Sequence, residues 1–279
     1  MSDRLADSLE QILLARIRSG TIALPPLPAA AEQALRLLRK PEVSFRNVAS
    51  AIERDSALSV SVLRSGALGS RVDVRSVEHA LVRSGMERAR SVIFEAASKR
   101  LFNARDPALQ KVLTGLWEHS LAVALVSRDL AAMVGVDSDL AYTAGLLHDV
   151  GKPIAASYLL DAERAAALSN GKFVGSDLFI AVVARTHRKL GVEVARKWDL
   201  HGVVRDAIEG GEDLVAADPV ARCVFLANAL AKREGVVVGA VEASNEDVIL
   251  VASALLGLDA GAAARVAENL RARPELQPG

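Results

Sequence analysis

The stretch GLLHDVGK, residues 145–152, sets a histidine beside an aspartate directly after an apolar run, and Gly151 and Pro153 follow closely. Imidazole and carboxylate are side chains that hold borderline divalent cations, so His148 and Asp149 are candidate metal ligands. A metal centre needs further ligands from elsewhere in the chain. The supply of histidine is small: besides His148 there are His79, His119, His187 and His201. His119 lies in LWEHSLAVALVSRDLA, a helical pattern whose apolar stripe includes Leu116, Val123 and Leu130. His187 lies in ARTHRKLGVEVARKW, which is also helical. The order is therefore His, His-Asp, His, and the expectation is that these side chains converge in space.

Outward from this stretch, apolar residues recur at helical spacing almost everywhere. RLADSLEQILLARI places Leu5, Leu9, Ile12 and Leu13 on one expected face before LPPLP (24–28) interrupts, because proline lacks the N–H a helix needs. A second helix is expected from Ala29 to Leu38. A third is capped by Ser44 and runs through Ile52, and a fourth opens at Asp55 or Ser56. Val77 to Ser84 is broken by Gly85, and Arg88 to Phe102 resumes. Asp106-Pro107 opens a long helix to Met133, and Asp137 to Leu147 ends at the quoted motif. Further helices are expected in SDLFIAVVARTHRKLGVEVARKW, VVRDAIEG and DPVARCVFLANALAKRE, and within 245–256 and 259–272. GVVVG (235–239) is the one conspicuous β-branched run and is too short to imply a sheet. With no repeat, low-complexity linker or sharp break, residues 1–279 read as a single compact all-α domain of about a dozen helices.

Composition narrows the function classes. Hydrophobic residues make up 51% and aromatics 4%, so the core is aliphatic. Lys plus Arg equals Asp plus Glu at 34 each, which gives none of the basic excess that a nucleic-acid binder usually carries. Cys223 is the single cysteine, so neither an intrachain disulfide nor a multi-thiolate zinc site can form. Its apolar setting points to a buried thiol. The first residues carry acids and no long apolar core, and nowhere do 18 apolar residues run uninterrupted. The expected compartment is the cytoplasm, with no membrane partner. Trp117 and Trp198 sit near apolar stripes and are expected in the core, and His201 is expected at the surface near a helix start.

In order, LPPLP, SFRNVASAIERDSALSVSVLR, SVEHALVRSG, LWEHS, GLLHDVGK and THRKLGVEVARKWDL make a series that resembles the HDOD family. This is the output-domain branch of the HD superfamily of metal-dependent phosphohydrolases. The resemblance spans roughly residues 20–230 and implies an HD-like helical fold with an HDOD-type N-terminal half, flanked by short helical extensions. It also implies the metal ligands His119, His148, Asp149 and His187, with Lys152 placed either to stabilise Asp149 or to meet substrate phosphate.

The departures from that pattern bear on function. Where metal-binding members place a His-His pair, Gly211 and Glu212 stand, and Glu212 is a doubtful substitute. Where they place a final aspartate, this chain has Asn228 in LANAL, a neutral and poorer ligand. One firm carboxylate then remains, which suits a single divalent cation or none, and not a metal pair. The expected function is a non-catalytic bacterial signalling module that acts by contact with a protein partner in trans or by self-association, since the flanks are too short for an attached receiver, cyclase or kinase-like segment. The rivals are a metal-dependent phosphohydrolase acting on nucleotides or cyclic nucleotides, with Lys152 offsetting phosphoryl charge, and a nucleotide sensor using the same cleft.

Overall fold

The computed structural model describes residues 2–67, 74–165, 174–210, 213–238 and 245–276. Among these the chain is all-α: thirteen α-helices and three short 3-10 turns, with no strand. Val236, in the β-branched run, lies outside any helix. The residues fall into two compact units, one of 1–25 with 101–279 and the other of 26–100.

The smaller unit holds α2 (Ala29–Leu38), α3 (Phe45–Ile52), α4 (Ser56–Ala67) and α5 (Val77–Lys99). The expected caps are in place. Ser44 Oγ accepts the Asn47 N–H, and Asp55 Oδ1 accepts the Leu58 N–H, so Asp55 rather than Ser56 opens α4. Gly85 breaks the helical geometry within α5, as expected. Its φ of 78° lies where an L side chain is strained, and the two expected segments meet there at a kink within α5. Arg90 donates to the Leu38 carbonyl at the end of α2, and Arg100 forms an ion pair with Asp55. At Gly66 a β-carbon would stand 2.6 Å from that of Ala80, so glycine is what lets α4 and α5 pack this closely.

The larger unit opens with α1 (Ser2–Arg18) and resumes with α6 (Pro107–Val134), α7 (Ser138–Leu147), α8 (Gly151–Ala165) and α9 (Asp177–Lys197). It continues with α10 (Gly202–Glu209), α11 (Pro219–Arg233), α12 (Asn245–Leu255) and α13 (Ala260–Ala267). The buried face of α1 agrees with expectation at Leu13 and differs at Ile12. Leu13 and Leu14 are buried while Ile12 is 53% exposed, because the face turned to α9 repeats at Glu10, Leu13, Leu14 and Ile17. The side chains of Leu5 and Leu9 lie outside the described residues. Arg185 of α9 fastens this contact through Asp7 at 2.8 Å and Glu10 at 3.6 Å.

α6 forms the central axis of this unit. Asp106 caps it through the Ala108 and Leu109 N–H groups, Pro107 fills a first-turn position that needs no donor, and Gly135 ends it in the left-handed region. Around it pack α7, α8, α11 and α13, with Leu121, Ala124, Leu125, Tyr142 and Leu146 forming one apolar cluster. Trp198 is buried as expected, and its indole N–H donates to the Pro25 carbonyl at 3.0 Å. Trp117 is half-buried and packs edge-on to Phe102, with ring centroids 5.3 Å apart. His201 is exposed and caps α10 by accepting the Val203 N–H at Nδ1.

Candidate metal centre

The turn between α7 and α8 carries His148 and Asp149. Val150 N–H donates to the Leu147 carbonyl and Lys152 N–H to the Asp149 carbonyl, which holds the turn tight. The two glycines of the quoted stretch give it access to its neighbours. A β-carbon on Gly145 would meet Ser127 Oγ at 2.8 Å and Ala124 Cα at 2.9 Å, so α7 lies directly on α6. A β-carbon on Gly151 would stand 1.8 Å from the His187 carbonyl oxygen, so α8 begins against the middle of α9. Two close helix approaches thus bring the His-Asp turn to His119 on α6 and His187 on α9.

The four expected residues meet. Asp149 Oδ2 lies 3.2 Å from His148 Nε2 and 3.7 Å from His119 Nε2, and Oδ1 lies 3.3 Å from His187 Nε2. One ligand atom each from His119, His148 and Asp149 fall within 4.8 Å of one another. All four side chains are between 3% and 11% exposed. Each imidazole is held from behind by a backbone carbonyl at 2.7 Å: Val236 for His119, Gly145 for His148 and Ala184 for His187. A carbonyl can only accept, so Nδ1 carries the hydrogen in each ring and the Nε2 edge faces Asp149. This is the arrangement by which outer partners orient histidine ligands toward a metal.

Electrostatics fits the same picture. Burial, followed by the influence of the adjacent His148, pushes the His119 pKa down to about 3, so this imidazole is neutral near pH 7. At 3.7 Å its Nε2 is then neither ion-paired nor hydrogen-bonded to Asp149. Burial works against the Asp149 carboxylate, but the neighbouring His148, Lys152 and His187 side chains outweigh it and hold its pKa well below the usual carboxylate range. His119 Nε2 and His148 Nε2 are buried without a hydrogen-bond partner, while Asp149 Oδ2 has the Lys152 ammonium beside it as its ion-pair partner. Two imidazole nitrogens left unpaired in a dry interior are available as ligands to a cation. Three imidazoles and a carboxylate fit one borderline divalent ion, to which they would offer neutral nitrogens and one anionic oxygen.

Lys152 Nζ stands 2.5 Å from Asp149 Oδ2 as an ion pair, as one of the two expected placements has it. Asn228 lies on α11, which packs on both α6 and α7, and its Oδ1 is buried and unpartnered. Glu212 and Gly211 lie outside the described residues. His79 belongs to the other unit, on α5, and His201 does the capping described above. The sequence reading missed the Val236, Gly145 and Ala184 carbonyls. Every residue offers a carbonyl, so no residue type could have marked them.

Comparison with known proteins places the fold. Over 133 residues the chain is 33% identical to Ribonuclease Y of Mesoplasma florum, a match that covers 47% of this chain and 21% of that protein. The chain therefore spans about a fifth of the length of this curated relative. A crystal structure from Shewanella amazonensis SB2B, provisionally described as a metal-dependent phosphohydrolase, superposes with a TM-score of 0.73 at 22% identity and covers 96% of this chain and 98% of its own. A structure from Marinobacter aquaeolei VT8, provisionally described as a signal transduction protein, gives 0.64 at 21% identity and covers 96% of this chain and 64% of its own. These two likenesses show a shared HD-like helical fold. The model of the HDOD domain matches residues 24–213, more than half of the chain. The chain belongs to the HDOD family.

Proposed function

We propose that this chain is a non-catalytic signalling module, in which the His/Asp centre serves as a scaffold for at most one divalent cation and a protein partner reads the outer surface. The observation that carries the reading is the state of Asp149: it is the one carboxylate within reach of the three Nε2 atoms among the described residues, it is buried, and Lys152 already neutralises it. Hydrolysis at phosphorus needs a cation with an open position for water and room for the phosphoryl group. Side chains exposed by 3–11% offer little of either. The provisional description of the Marinobacter relative as a signal transduction protein agrees with this reading.

The second reading is a metal-dependent phosphohydrolase, favoured by the three Nε2 edges turned on one carboxylate. The ribonuclease relative makes RNA a substrate class worth including beside nucleotides and cyclic nucleotides. Metal content of the purified chain, measured with turnover of cyclic dinucleotides, nucleotides and short RNA, separates the two. The scaffold reading expects no more than one ion and no turnover above that of an Asp149→Ala control. Metal-dependent turnover that this substitution abolishes defeats it. A thermal shift with a cyclic nucleotide but no turnover would favour a sensor instead. Light scattering after size exclusion reports self-association.

A further inference from the structure

We infer that Lys152 is a tethered cation that competes with a divalent metal for Asp149, so that the centre loads only when the first turn of α8 releases that oxygen. This rests on the single-cation reading of the centre. The oxygen Lys152 contacts, Oδ2, is the one that stands 3.2 Å from His148 Nε2 and 3.7 Å from His119 Nε2, and so the one a shared ion would use.

An ammonium 2.5 Å from that oxygen and a metal bound at about 2.0–2.2 Å to it cannot coexist without strong repulsion in a low-dielectric interior. The other oxygen, Oδ1, already faces His187. The tether is short. Lys152 is three residues from Asp149, its own N–H is bonded to the Asp149 carbonyl at 2.8 Å, and its side chain is 21% exposed. Loading the centre therefore requires the ammonium to move toward solvent, which couples metal occupancy to the start of α8. A lysine poised for a substrate phosphate would keep its ammonium clear of the ligands, whereas this one is spent on the carboxylate.

The test compares Zn²⁺ affinity of the full chain, by competition with a chromophoric chelator, in the wild type, Lys152→Gln and Lys152→Arg. Lys152→Gln is expected to bind at least about tenfold more tightly, and Lys152→Arg, which keeps the charge, to stay near the wild type. Equal or weaker binding by Lys152→Gln overturns the inference, and so does a gain of the same size in Lys152→Arg. The wild type offers a check that no variant's folding can confound. Lysine-selective NMR should show one ammonium signal displaced as Zn²⁺ saturates the site, and a spectrum unchanged at saturation overturns the inference. None of these readouts involves turnover. Phosphodiester hydrolysis would sink the scaffold reading while leaving this comparison to stand or fall separately.

Discussion

His119 shows how much one side chain can hold. Its ring is fixed by the Val236 carbonyl, and its pKa is pushed down to about 3 by burial and by His148. In the unfolded chain the same ring titrates near 6.5, so between the two values the unfolded state binds the extra proton and stability rises with pH. Metal-free protein should therefore lose stability as pH falls below about 6.5, by about 1.4 kcal/mol per pH unit for this one group. Asp149, depressed instead, adds its own loss below its ordinary 3.8. Melting temperatures from pH 4 to 7 check this, and His119→Gln should flatten the slope. Asn228 makes a second case. Restoring a carboxylate with Asn228→Asp should tighten Mn²⁺ binding about tenfold in a chelator competition if its unpartnered Oδ1 faces the shared ion, while unchanged affinity removes Asn228 from the centre. These side chains were legible from residue type and order. The carbonyls that aim them were not, since a backbone group has no signature in the sequence.

At the scale of elements, the centre depends on helix spacing. α8 starts so close to α9 that Gly151 has no room for a methyl group, with 1.8 Å to the His187 carbonyl. Gly151→Ala must push the two helices apart, at a cost of roughly 3 kcal/mol from overpacking. It should also weaken metal binding, because His187 and Asp149 ride on the separated elements. Denaturant titration and the chelator assay read the two effects. An alanine that is tolerated without loss would mean the approach is looser than drawn. Caps made most helix ends legible: Ser44, Asp106 and Asp137 each accept backbone N–H groups where their residue type suggested. Gly85 interrupts α5 where the sequence placed the break, because its φ and ψ are non-helical. On α1 Leu13 is buried as expected, but Leu14 fits the 3.6-residue period as well as Ile12 does, and packing on α9 decided between those two.

For the whole molecule, helical periodicity pointed to an all-α chain and the resemblance carried by the ordered motifs implied the HD-like fold, which the family match and the superposed structures bear out. No single helix among the described residues is long and apolar enough to cross a membrane. Cys223 lies fully buried on α11, where burial and then the nearby Asp218 push its thiol up to about 12. Since the thiolate is the nucleophile, native protein at pH 7.5 should resist alkylation, and labelling should appear only with global unfolding. Fast labelling of the native state would show that α11 opens separately from the rest. The central claim concerns charge: one carboxylate, already met by a lysine, supports no more than one cation. Native mass spectrometry after reconstitution with excess Mn²⁺ and removal of unbound metal counts the ions directly. The account predicts chains carrying none or one, and a dominant species with two would contradict it.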